Sequence, residues 1–346
     1  MTIRILVAED SPTARALLVA IFREDPELEV IGEAIDGIMA VRMAKSLRPD
    51  VITMDLNMPG LDGFEAIRRI MAEAPVPIVV VSGSMERDQI ASSVRALSVG
   101  ALTVLHRPRG PGHADFDEQR RQMLAAVKSL AEVRVVRRRQ PTLPRSVLSA
   151  PRPAGTPALI AIAASTGGPA ALHRILSDLS GTLHIPLLIV QHIAVGFGTG
   201  LVDWLNSAST RTVKLAETGE RALERVVYVA PDERHLGIAP DGTLIISAAK
   251  PIGGHRPSGT FLFESVAHSY GSRAIAIILT GMGRDGVDGL RAVRQSGGQV
   301  IAQDEESSVV FGMPAAAISA GVVDVVLPLA SIAPHLARSL EVPRAR

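Results

Sequence analysis

An unbroken apolar run gives way to glycine around one serine: "ALIAIAASTGGPAALHRIL" spans residues 158–176 and carries Ser165 at the break. A buried strand, a tight turn and a helix with Pro169 near its start would present the Ser165 hydroxyl at the mouth of a sheet. The helix N-terminus would offer backbone N–H groups to an oxyanion, with Thr166 the first candidate donor and Met282 the second. The strict G-x-S-x-G pattern is absent, because Ala163 holds its first glycine position. A serine that only caps the helix therefore fits this stretch as well. A nucleophile needs a base, and His192 directly follows the strand-like run "IPLLIVQ". If that strand runs parallel to "ALIAIAA", His192 and Ser165 leave the sheet on one edge, and His192 Nε2 would take the serine proton. The orienting acid would come from a third strand end, and both Asp285, after "AIAIILTGMGR", and Asp304, after "QVIAQ", satisfy that position.

A second constellation is acidic. Glu9 and Asp10 follow "IRILVA", and Asp55 follows "VITM". In a parallel sheet all three can meet at the carboxyl edge, where open α/β sheets bind ligands. Three carboxylates favour a hard divalent cation, Mg²⁺ being the natural candidate. A carboxylate held beside such a cation can accept a phosphoryl group.

Both constellations need strands to carry them. "IRILVA", "VITMDL", "PIVVVSG" and "ALTVLH" alternate with helical patterns such as "SPTARALLVAIFRED" and "DGFEAIRRIMAEA". After an Arg- and Pro-rich stretch, strand-like runs resume at "ALIAIAA", "IPLLIVQ", "VVYVAP", "LIISAA", "AIAIILTG" and "QVIAQD", with a β-rich excursion near 223–248. Alternation of this kind implies parallel sheets covered by helices on both faces. The expected architecture is α/β with two doubly wound domains: residues 1–125, a linker over 126–155, and residues 156–346.

Composition bounds the rest. The 346 residues include Lys+Arg 36 against Asp+Glu 35, so no global charge excess points to nucleic acid or a membrane surface. The chain has no cysteine, which excludes disulfides, thiolate zinc sites and cysteine nucleophiles. The start "MTIRILVAED" lacks the apolar core of a signal peptide, and no apolar run approaches a membrane span. A cytoplasmic protein is the expectation.

The ordered set "VAED", "MDLNMPGLDG" and "VVVSG", each at a strand end, resembles a two-component response-regulator receiver domain of the flavodoxin-like type. The resemblance implies Asp55 as phosphoacceptor, Glu9, Asp10 and Asp55 as Mg²⁺ ligands together with the Asn57 carbonyl, and Ser82 as the hydroxyl facing the phosphoryl group. Receivers typically end their last strand in Lys-Pro, whereas this chain has Arg107 before Pro108. "IAASTGGPAAL", "IVQHIAVGFGTGL", "ILTGMGRDGVDGL" and "AQDEESSVVFGMPAAA" are similar to the catalytic domain of chemotaxis protein-glutamate methylesterases, a Rossmann-like parallel-sheet hydrolase.

That second resemblance implies a Ser165, His192, Asp285 triad and settles Asp285 over Asp304. It also implies hydrolysis of glutamate methyl esters on chemoreceptor cytoplasmic helices without a cofactor, deamidation of receptor glutamines, and phosphorylation by a chemotaxis histidine kinase. The expected protein is a monomer that binds no nucleic acid and does not insert into a membrane. Thr260, in "HRPSGTFLFESV", stands where many relatives carry an acid, a departure bearing on substrate preference. Receptor recognition is expected around His255 to Phe263 and at Phe197. Three rival readings carry less. A DNA-binding regulator lacks a basic helix-turn-helix pattern, and a Rossmann cofactor domain lacks G-x-G-x-x-G after any strand. A silent receptor-binding adaptor would leave Ser165 as a mere helix cap.

Overall fold

A computed structural model describes residues 2–83, 87–131, 133, 156–179 and 184–340. The chain divides into two compact units, Met1–Gln140 and Pro141–Arg346. Most of the Arg- and Pro-rich linker expected over 126–155 lies outside the described residues.

The first unit alternates β1 (Ile3–Ala8), α1 (Pro12–Arg23), β2 (Leu28–Ala34), α2 (Gly37–Leu47), β3 (Val51–Met54) and α3 (Gly63–Glu73). It continues through β4 (Ile78–Ser82), α4 (Arg87–Ala96), β5 (Thr103–His106) and α5 (Phe116–Ala131). Helix starts are set by short polar side chains. Ser11 accepts the Ala14 N–H with Pro12 opening α1, Asp36 accepts from Met39, and Asp62 from Glu65. The strands form one parallel sheet in the order β2-β1-β3-β4-β5. This is the flavodoxin-like order, whose switch point falls between β1 and β3. Helix α5 continues past residue 125, where the sequence reading ended the domain, and buries Val127 and Leu130. The first residues assigned to the linker thus belong to this helix, because their apolar face is needed in the core.

The second unit begins with β6 (Leu159–Ala164), α6 (Gly168–Asp178), β7 (Leu187–Gln191), α7 (Gly198–Ala208), β8 (Thr212–Leu215) and β9 (Val226–Val229). A two-stranded antiparallel sheet, β10 (His235–Ile238) with β11 (Leu244–Ser247), fills the expected β-rich excursion. Then follow α8 (Gly259–Tyr270), β12 (Ala274–Ile278), α9 (Val287–Gln295), β13 (Gln299–Gln303), α10 (Met313–Ser319), β14 (Val325–Leu327) and α11 (Leu329–Leu340). The main sheet is seven-stranded and parallel, in the order β14-β13-β12-β6-β7-β9-β8.

Every residue of β6, β7 and β12 is buried, as both-face coverage of a central parallel strand requires. Leu262, Phe263 and Val266 of α8 pack on Ala161, Ala163 and Leu188 of the sheet. Each large apolar side chain buried this way contributes about 2 kcal/mol. The chain leaves β6 toward β7 and later returns on its other side as β12. The crevice for a ligand therefore lies at the carboxyl ends of β12, β6 and β7.

Candidate active site and acidic pocket

In the second unit, Ala164 of β6 pairs with Gln191 of β7, so the two strands end level and Ser165 and His192 are the next residues of each. The His192 N–H donates to the Ala164 carbonyl at 2.9 Å, and the Ser165 N–H to the Thr280 carbonyl at 3.0 Å. Past Ser165 the chain turns through Gly167, whose φ of 76° is in the left-handed region, directly into α6. The Thr280 hydroxyl donates to the Thr166 carbonyl at 2.9 Å and fixes that turn to the exit of β12. Met282, the other residue expected to face an oxyanion, lies two residues farther along and is exposed.

His192 Nε2 lies 2.9 Å from Asp285 Oδ2. This corrects the expected use of the ring. Nε2 is engaged by the carboxylate, while Nδ1 is buried and has no hydrogen-bond partner among the described residues. Nδ1 is the ring nitrogen that Asp285 does not engage, and a carboxylate at Nε2 favours the tautomer with its hydrogen there. Asp285 is itself held tightly. It accepts from the Ser258 hydroxyl at 2.7 Å, the Gly259 N–H at 2.6 Å and the Thr260 N–H at 3.3 Å. Burial alone would raise its pKa. The hydrogen bond and charge of His192, with the Ser258 and Gly259 donors, outweigh burial and hold the carboxyl well below the usual range.

Asp304 is turned elsewhere: its Oδ1 accepts from the Ser307 N–H at 3.0 Å and the Ser307 hydroxyl at 2.6 Å. Other histidines have packing roles, His173 stacked on Trp204 and His235 on Phe261. The expected recognition surface also needs correction. Phe197 and Phe263 are both 0% exposed and belong to the core. Thr260 is buried, and its hydroxyl accepts the Gly286 N–H at 3.0 Å, which ties the start of α8 to the loop that carries Asp285.

His255 belongs beside the site. Its ring stacks on that of His192, with centroids 4.2 Å apart and planes 5° from parallel. Burial first, then the neighbouring His192, lower the His255 pKa and favour its neutral form. The signal available in sequence was its place three residues before Ser258, the residue that both caps α8 and bonds Asp285.

In the first unit, Glu9, Asp10 and Asp55 each offer an oxygen within 4.8 Å of the others. Burial raises the Glu9 pKa, reinforced by the charge of Asp55 and opposed by Arg107. Burial likewise raises Asp55, against the Asn57 N–H and Arg107. Crowded, desolvated carboxylates of this kind are an oxygen donor set that fits Mg²⁺. Asn57 donates its N–H to Asp55 Oδ1 at 3.4 Å, and Ser82, at the end of β4, is buried with its carbonyl bound by the Arg107 N–H at 2.8 Å. The Arg107 guanidinium reaches into the pocket and pairs with Glu9 Oε2 at 2.8 Å. It lies against Gly83, where an added Cβ would come 2.0 Å from Arg107 Nη2.

Comparison with known proteins adds an independent line. Residues 160–336 match the family model "CheB methylesterase", and residues 5–113 match "Response regulator receiver domain". The chain is 52% identical over 339 residues, 96% of both chains, to the protein-glutamate methylesterase/protein-glutamine glutaminase 4 of Myxococcus xanthus. The chain belongs to the CheB methylesterase family. It is also 49% identical over 341 residues to protein-glutamate methylesterase/protein-glutamine glutaminase 3 of Anaeromyxobacter dehalogenans, covering 97% of this chain and 98% of that one. Among solved structures, the CheB methylesterase catalytic domain of Thermotoga maritima matches with a TM-score of 0.51 and 40% identity. That match covers 53% of this CheB chain and 99% of the Thermotoga one. Among the described residues no helix is long and apolar enough to cross a membrane.

Proposed function

We propose that this CheB-family chain is a phosphorylation-regulated hydrolase that removes methyl esters from glutamate side chains of chemoreceptors and deamidates receptor glutamines. The observation that carries the reading is the 2.9 Å contact of His192 with Asp285 at the strand edge that also carries Ser165. His192 Nδ1 takes the Ser165 proton as Oγ attacks the ester carbonyl. The oxyanion is met by backbone N–H groups, Thr166 first and Met282 second, each worth about 3 kcal/mol. The imidazolium formed is stabilised by Asp285, then protonates the departing methanol. His192 next deprotonates a water that hydrolyses the acyl-enzyme, and with glutamine the leaving group is ammonia instead.

In the receiver unit Asp55 accepts the phosphoryl group from a chemotaxis histidine kinase. Glu9, Asp10 and Asp55, with the Asn57 carbonyl, would hold Mg²⁺, whose charge when bound would offset the repulsion between the carboxylates and a phosphoryl group. Ser82 and Arg107 face the phosphoryl oxygens. No cofactor is assigned to ester hydrolysis. The protein acts as a cytoplasmic monomer, with 156–346 as the catalytic domain.

The test is methanol release from methylated chemoreceptor membranes by the full chain, with and without Mg²⁺ and a small phosphodonor. Release that rises with the phosphodonor and vanishes in Ser165→Ala supports the reading. Release that survives in Ser165→Ala removes the nucleophile, and no release from folded protein turns the reading toward a receptor-binding adaptor.

A further inference from the structure

Gln191, the last residue of β7, is 3% exposed and uses both hydrogens of one amide on the main chain around the site. Its Nε2 donates to the Ser165 carbonyl at 2.8 Å and to the His192 carbonyl at 2.7 Å. The two strand exits that carry the hydroxyl and the imidazole are thereby bridged by a single side chain, in addition to the ladder that ends one residue earlier. The orientation of the amide is fixed by its surroundings. Gln191 Oε1 has no N–H or O–H partner among the described residues and lies at the start of α6, where the positive end of the helix dipole favours oxygen. The reverse orientation would set that oxygen against two carbonyl oxygens. Space for Oε1 depends on Gly168, where an added Cβ would come 2.1 Å from it and 2.7 Å from Ala164 Cβ.

We infer that Gln191 is a positioning residue: its amide locks the backbones of Ser165 and His192 at the separation that proton transfer requires, and Gly168 is the gap that lets it do so. The inference rests on the serine–histidine reading above. Displacement of reacting groups by about 1 Å can cost 10²-fold in rate. Losing the bridge should lower kcat without disturbing the binding of the receptor helix.

The experiment compares Gln191→Met, Gly168→Ala and the double variant in the full chain. Methanol release is normalised to active serines counted with a fluorophosphonate, and thermal unfolding is recorded in parallel. Each single variant should lose about 10- to 100-fold in kcat per titrated serine, with KM within about twofold. The double variant should be no slower than the worse single one, since both act on one amide. Wild-type kcat per titrated serine in Gln191→Met, or losses that multiply in the double variant, would overturn the inference. Should Gln191→Met fail to fold, Gly168→Ala decides alone, because it displaces the amide with Gln191 still present, and wild-type kcat in that variant would overturn the inference. Methanol release that persists in Ser165→Ala overturns the reading beneath it and the inference together.

Discussion

Replacing Asp285 with asparagine isolates the charge of the acid from its geometry. The carboxylate has two unequal oxygens. Oδ2 faces His192 Nε2 at 2.9 Å and the Gly259 N–H at 2.6 Å, while Oδ1 faces the Ser258 hydroxyl at 2.7 Å and the Thr260 N–H at 3.3 Å. An asparagine NH₂ placed at Oδ2 would collide with a short, fixed N–H donor. Placed at Oδ1 it meets a hydroxyl able to turn and accept, and only a long contact to Thr260 is lost. The amide oxygen therefore stays against His192 Nε2–H, and the tautomer with Nδ1 free is preserved. What disappears is the attraction between carboxylate and imidazolium in the transition state. At a charge separation near 4 Å and an effective dielectric constant of 20, that attraction is about 4 kcal/mol. The expected loss in kcat is about 10³-fold. This is smaller than the roughly 10⁴-fold seen where the same exchange enforces the wrong tautomer. Methanol release under saturating receptor, per titrated serine, reads this directly. A loss below about tenfold, under 1.4 kcal/mol, would detach Asp285 from the chemistry. A loss equal to that of Ser165→Ala would refute the argument for the amide orientation.

His255→Ala removes the ring stacked on His192 and should cost about 2- to 10-fold in kcat, the worth of one stacked pair, whereas His255→Phe should retain most activity. Equal losses in the two variants, measured by methanol release, would rule out stacking as the contribution. Glu9 and Asp55 have folded-state pKa values raised above the ordinary carboxylate range. The stability they contribute is fully present below about pH 4 and is lost as pH rises through the raised values. Thermal unfolding in EDTA should therefore show the first unit weakening from mildly acidic toward neutral pH. Mg²⁺ should restore stability at pH 7, and Asp55→Asn should flatten the pH dependence. An unchanged slope in Asp55→Asn would contradict the assignment of the pH dependence to this pair.

The parallel strands were readable because burial on both faces makes them continuous apolar runs, as in "LIAIAA" and "AIAII". Strand β2 was not readable in that way, since Glu29 and Glu33 interrupt it and an edge position leaves only Leu28 and Ala34 of it buried. The edge strands β8 and β14 were also missed, being only 4 and 3 residues long. Position along the strand ends grouped Ser165 with His192 in one sheet, and Glu9 and Asp10 with Asp55 in the other, because parallel register carries successive carboxyl ends of a sheet to one edge. Choosing the nitrogen of His192 required the ring orientation, which no spacing encodes. The stacking of His255 on His192 and the bridge made by Gln191 were not foreseen for a related reason: each acts across the sheet edge on a residue of another segment, and periodicity reports only which face a residue occupies. Phe197 and Phe263 misled in the opposite direction, as large apolar residues beside a site are used to build it more often than to face its substrate.

Gly83 and Arg107 share one volume. The guanidinium rests where any side chain at position 83 would begin, with the nearest contact only 2.0 Å from an added Cβ. That contact is the far end of a flexible side chain, so Gly83→Ala should be accommodated by the guanidinium swinging aside and not by a shift of the backbone. A side chain at 83 and the present Arg107–Glu9 contact are therefore alternatives within this pocket: gaining the one displaces the other.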